Sequence, residues 1–136
     1  MTDAKAVVID YMHHVWNDGE VDACDRFLTP FYTIHHDPGD PWDGQKLSIE
    51  AFKDRVRTSR APFPNQQFVI DTMIEEGIKV AVAWHWMGTF VADMPGFKAT
   101  GQPVKTSGVT IYYMEGDRIA GHWQVTDRLG VFQQVR

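Results

Sequence analysis

The order of periodicities along this 136-residue chain predicts an α+β fold, with helices laid on one face of an antiparallel sheet. Three observations carry the prediction. Apolar residues recur at helical spacing early in the chain, and after Pro64 they alternate with polar ones. The alternating runs are separated by Glu75-Glu76-Gly77 and Glu115-Gly116-Asp117, turn sequences that suit hairpins between consecutive strands. A chain of this length can bury roughly two thirds of its unfolded surface, enough for a core without staples.

Val7, Val8, Tyr11, Met12, Val15 and Trp16 define one face of the first helix. Thr2 or Asp3 can cap its start, and Asn17-Asp18-Gly19 stops it. A second, short helix is expected from about Glu20 to Leu28, with Val21, Cys24 and Leu28 inward and Pro30 as its terminator. Phe31 to His36 reads as a short strand closed by the turn-rich Asp37-Pro38-Gly39-Asp40-Pro41. The third helix starts near Ser48, buries Ile49, Phe52 and Val56, and stops before Pro62. Four strands follow. The first sets Phe68, Ile70, Thr72 and Ile74 on the face opposite Gln67, Val69, Asp71 and Met73. The others span about Ile78–Phe90, Val104–Met114 and Arg118–Asp127. No repeat or boundary divides residues 1–136, which read as one domain.

Thirteen Lys and Arg against eighteen Asp and Glu leave a net charge of −5, the wrong sign for a nucleic-acid surface. Lys53, Arg55, Arg57 and Arg60 form a local basic run that reads as a solvated helix face. The lone Cys24 has no partner for an internal disulfide, which favours a reducing, cytoplasmic setting. No apolar run approaches the ~18 residues of a membrane span, and the first residues do not resemble a signal peptide. The usual metal-ligand spacings are missing, so neither metal nor other cofactor is expected, and His13 and His14, about 100° apart on the first helix, flank its apolar stripe and read as exposed. Seventeen aromatic rings are more flat surface than so small a core needs.

Chemistry is sought on the strands. In the last, Ile119, Gly121, Trp123, Val125 and Asp127 share the more apolar face, so Asp127 ends a row expected to meet the helices. A carboxylate shielded there suits a general acid or base, whereas one turned outward caps Asp127-Arg128-Leu129-Gly130 or pairs with Arg128. His35 and His36 point to opposite sides of their strand, and either can be the inward one. His85 shares a face with Ala81, Ala83 and Met87, opposite Val80, Val82, Trp84, Trp86 and Phe90. Either face can be the core.

Several ordered segments resemble the SnoaL-like polyketide cyclases of the nuclear transport factor two-like superfamily. They are Tyr32 with His36-Asp37-Pro38, Phe63-Pro64, Gly88-Thr89, Thr106-Ser107-Gly108-Val109-Thr110-Ile111-Tyr112-Tyr113, Gly116 through Trp123, Asp127-Arg128-Leu129-Gly130 and Gln133-Gln134. The resemblance implies a cone-shaped, curved antiparallel sheet wrapped by three N-terminal helices around an apolar pocket, commonly in a homodimer. It also implies cofactor-free acid/base chemistry on a small hydrophobic carbonyl compound. Asp127 and His36 are then the expected catalytic residues. His85, Trp123, Tyr32, Trp84 and Trp86 are the expected contacts to a hydrophobic or aromatic ligand. Ala83 and Phe90 stand where many relatives carry arginine and histidine. A noncatalytic ligand-binding or dimerisation module, and a hydrolase or dehydratase on the same scaffold, are the alternatives.

Overall fold

In the computed structural model, which describes residues 3–136, Asp3 opens the first helix by accepting a hydrogen bond from the Ala6 amide at 3.2 Å. Thr2, the other candidate cap, lies outside the described residues. Helix α1 (Ala4–Tyr11) runs directly into a π-helical turn, Met12–Asn17, so the first predicted helix is built of two windings. A 3₁₀ turn (Val21–Ala23) and the single-turn α2 (Cys24–Phe27) follow. Pro30 does not end α2. It sits inside β1 (Leu28–His36), where pairing with a neighbouring strand is irregular and no amide is needed. A three-residue β2 (Lys46–Ser48), which periodicity did not signal, leads into α3 (Ile49–Arg60). The Ser48 hydroxyl caps α3 by accepting from the Ala51 amide at 3.2 Å.

The long strands are β3 (Gln67–Glu76), β4 (Lys79–Thr89), β5 (Pro103–Glu115) and β6 (Arg118–Thr126), and a fourth helix, α4 (Arg128–Val135), closes the chain. The six strands form one curved, unclosed sheet in the order β2-β1-β6-β5-β4-β3. Its neighbours are antiparallel except β1 and β6, which run parallel. The four consecutive long strands pair antiparallel as expected, and the parallel β1–β6 pair joins the early strand to them. Strand β1 enters from the helical half and lands beside the end of the meander.

Three irregularities decide which side chains face the core, because an extra residue in one strand reverses the facing of everything beyond it. In β3, Ile70 pairs with Trp84 and Thr72 with Ala83, leaving Asp71 extra. Beyond it Met73 packs on the core and Ile74 is exposed, the reverse of simple alternation. In β1, Ile34 pairs with His122 and His36 with Trp123, leaving His35 extra and turning Asp37 inward. In β6, Ile119 pairs with Met114 and Gly121 with Tyr113, leaving Ala120 extra. Ile119 is therefore buried, and past the bulge the inward residue is His122. On β5, a Cβ added to Gly108 would fall 2.5 Å from the Val125 carbonyl oxygen and 2.6 Å from the Trp84 ring. Only glycine lets that indole lie across the strand.

Candidate active site

The inner face of the sheet and the helices enclose a cavity of about 660 Å³, within the range of small-molecule sites. Its walls are largely aromatic: Trp84 and Trp86 from β4, Phe68 from β3, and Trp16 beside Met12 from the π-helical turn. Both β4 indoles are pinned, Trp84 Nε1 donating to Thr110 Oγ1 at 2.9 Å and Trp86 Nε1 to Gln66 Oε1 at 3.1 Å. Met94 and Phe132 also line the cavity, and Phe97 stacks on Phe132 at 5.4 Å, tying the loop at residues 90–102 to α4.

At one end the aromatic lining gives way to a polar network whose hub is Asp37. That side chain is fully buried, and its carboxylate accepts four side-chain hydrogen bonds. One oxygen takes His122 Nε2 at 3.0 Å, Gln124 Nε2 at 3.2 Å and Arg55 Nη2 at 3.3 Å. The other takes Arg128 Nη2 at 2.9 Å. Arg55 Nη2 also donates to Asp40 at 3.0 Å, and its guanidinium lies over the rings of Trp16 and Phe52. Its Nε is buried and has no partner among the described residues. His122 meets the Tyr32 hydroxyl with Nδ1 at 2.6 Å. Tyr11, Tyr112, Arg55, His122 and Gln124 all line the cavity.

The electrostatics fix the protonation states. Burial alone would push the Asp37 carboxyl up. The hydrogen bond from His122 and the charges of Arg55 and Arg128 outweigh it and hold Asp37 below the ordinary carboxylate range. For His122 burial prevails: desolvation, aided by the Arg55 charge, lowers its pKa despite the neighbouring carboxylates. The imidazole is therefore neutral near pH 7. A carboxylate can only accept, so Nε2 carries the proton and Nδ1 accepts from Tyr32. Burial raises the phenols of Tyr11, Tyr32 and Tyr112, which remain neutral donors. The Tyr11 oxygen already accepts from Trp16 Nε1 at 2.8 Å, leaving its hydroxyl proton directed elsewhere. The cavity thus offers hydrogen-bond donors and a carboxylate-backed imidazole at one end of an aromatic slot.

Comparison with known proteins decides the family. The model of the SnoaL-like polyketide cyclases matches residues 6–135. The chain belongs to the SnoaL-like polyketide cyclase family. It also superimposes on a provisionally assigned polyketide cyclase from Acidithiobacillus ferrooxidans with a TM-score of 0.94 and 47% identity, covering 98% of this chain and 94% of that one. IdmH from Streptomyces antibioticus, likewise provisionally assigned as a polyketide cyclase, is 20% identical with a TM-score of 0.84 over 97% of both chains. AclR from Streptomyces galilaeus, provisionally assigned as a hydroxylase, shares the fold at 18% identity and a TM-score of 0.80, over 97% of this chain and 80% of that one. Among curated proteins, none matches the sequence. The architecture is the nuclear transport factor two-like cone.

Of the residues singled out in this SnoaL-like chain, Trp84, Trp86 and Tyr32 sit at the cavity or its polar end. The others do not. Asp127 is exposed, and its carboxylate caps α4 by accepting from the Gly130 amide at 2.9 Å. The bulge at Ala120 is the physical reason, since it turns Trp123, Val125 and Asp127 away from the helices and Gln124 and Thr126 into the cavity. His36 stacks on Trp123 at 4.6 Å on the outer face of the sheet. His85 also faces outward and pairs with Asp71 at 2.8 Å, the extra residue of β3. The expectation of a solvated basic face on α3 is corrected too: Lys53 and Arg55 are buried, Arg60 holds three backbone carbonyls, and only Arg57 is well exposed. Arg55 carried a legible signal, three residues after Phe52 and directly before Val56 in the apolar stripe. Asp37 belonged to a segment that resembles the family, but nothing in the sequence marked it as buried, because its burial depends on partners up to 91 residues away.

Proposed function

We propose that this SnoaL-like protein is a cofactor-independent acid/base enzyme that removes a proton α to the carbonyl of a small hydrophobic, ring-bearing compound, in an aldol cyclisation or an isomerisation. The observation that carries this reading is His122 on the cavity wall with the Asp37 carboxylate 3.0 Å behind its Nε2. His122 takes the α-proton at Nδ1 as the Tyr32 hydroxyl turns from that nitrogen, and Asp37 stabilises the imidazolium through Nε2. The electron pair of the broken C–H bond moves to the carbonyl oxygen. That oxygen is met by the Tyr11 hydroxyl and the Arg55 guanidinium, donors placed where negative charge develops. His122 then returns the proton to product. The kinship with proteins assigned as polyketide cyclases supports the substrate class.

A second reading, a noncatalytic ligand-binding module, is favoured by one observation: both ring nitrogens of His122 are already engaged, as in a structural network. Deuterium exchange at the α-carbon of aromatic 1,3-dicarbonyl esters, followed by NMR, separates the two. Acid/base catalysis predicts that His122→Gln slows exchange by about 100-fold or more, while Asp127→Asn leaves it unchanged. Ligand binding with no exchange above the solvent rate, or with exchange indifferent to His122→Gln, overturns the catalytic reading. A homodimer through the outer sheet face belongs to the same proposal. Half-exposed Val69, Met87, Val109 and Val125 make that face apolar, and light scattering on the purified chain reports its state. The chain's lone thiol, Cys24, is free and buried, which supports a reducing compartment.

A further inference from the structure

Outside the cavity, the π-helical turn gathers a second set of chemically capable side chains. In an α-helix His13 and His14 would diverge by about 100°. The wider π winding brings them closer, with ring centroids 5.0 Å apart. The backbone then folds back over them: the Asp18 amide donates to the His13 carbonyl and the Glu20 amide to the His14 carbonyl, both at 2.9 Å. Gly19, with φ of 72°, permits that reversal. Asp18 Oδ2 lies 3.3 Å from His13 Nε2, and one ligand atom from each of His13, His14 and Asp18 falls within 4.8 Å of the others.

The His14 ring has an orienting partner of its own, Glu20 Oε2, 3.2 Å from Nδ1, the arrangement in which a carboxylate holds a ligating imidazole in place. The ring also lies nearly parallel to that of Phe27, with centroids 6.2 Å apart and an interplanar angle of 14°. Tetrahedral ligands about 2.0–2.2 Å from a zinc ion stand roughly 3.4 Å from one another. The His13–Asp18 separation already matches that edge.

We propose that His13, His14 and Asp18 bind a divalent transition-metal ion of the zinc class, with Glu20 orienting the His14 ring and water completing the shell. The ion would clamp the π-helical turn to the reversal after it. Met12 and Trp16 on that same turn line the cavity, so the site braces one cavity wall.

The test is calorimetric titration of tag-free, chelator-stripped protein with zinc chloride. One zinc ion per chain is expected, with affinity lowered about tenfold or more by His13→Gln and by Asp18→Asn, both at exposed positions that the core does not need. His85→Gln, which removes the other surface His–Asp pair, leaves the affinity unchanged. Zinc raises the Tm of the wild type more than that of either site variant. No saturable binding at one equivalent, binding indifferent to His13→Gln and Asp18→Asn, or binding lost with His85→Gln overturns the proposal.

Discussion

Replacing Asp37 by Asn tests whether the buried carboxylate holds the polar end of the cavity together. The asparagine oxygen can keep the three donors now on one carboxylate oxygen. Its NH₂ group then faces Arg128 Nη2, where a 2.9 Å charge-assisted bond becomes two donors in opposition. Losing one partner of a buried ion pair costs about 3–5 kcal/mol. Two features place this case at the lower end. Arg55 retains Asp40 at 3.0 Å, and Arg128, about a third exposed, keeps the Pro38 carbonyl at 2.7 Å. The expected loss is about 3 kcal/mol, equivalent to about 10 °C in Tm for a domain of this size. Urea unfolding at pH 7 measures it directly, and adding Arg128→Met to the Asn variant should cost less than the same change in the wild type. A loss below about 1 kcal/mol, or full additivity with Arg128→Met, would refute the hub argument.

Two further expectations concern stability. The lowered pKa of His122 means that the folded state resists a proton the unfolded chain accepts near pH 6.5, so its contribution is full above that pH and declines as pH falls below it. Asp37, also lowered, contributes above about pH 4 and is lost as pH falls through its folded value. Denaturation midpoints across pH should thus show two stages, and His122→Gln should flatten the first; a wild-type slope between about pH 6.5 and 4.5 in that variant contradicts the assignment. The bulge at Asp71 predicts that Met73→Ser costs about 2 kcal/mol while Ile74→Ser costs under 0.5 kcal/mol, measured by thermal unfolding. Equal costs would mean that the strand keeps simple alternation.

The residues that alternation reads correctly are those on unbroken strand. Val80, Val82, Trp84 and Trp86 in β4 were expected to share a face, and they share the buried one. Facing fails where a residue is inserted. Asp127 was selected by position on its strand and His36 by resemblance, on strands whose bulges, at Ala120 and His35, had no sequence mark of their own, and the same bulges place His122 and Asp37 inside. Bulges re-aim side chains next to functional sites, so period-two reasoning is weakest where the chemistry is. The basic run on α3 shows a different limit. Composition suggests solvation, yet Arg55 is drawn in by carboxylates that reach it only after β1 docks.

That dependence has a kinetic side. The four donors to Asp37 stand 18, 85, 87 and 91 residues from it along the chain, and three come from β6 and the start of α4. Closing loops of that length is entropically slow, so the network can form only after β1 has found β6 across the whole meander. Changes at Asp37, His122 or Arg128 should therefore speed unfolding and leave the refolding rate nearly untouched. The local hairpins are thus expected to pair first and the polar end of the cavity to form last.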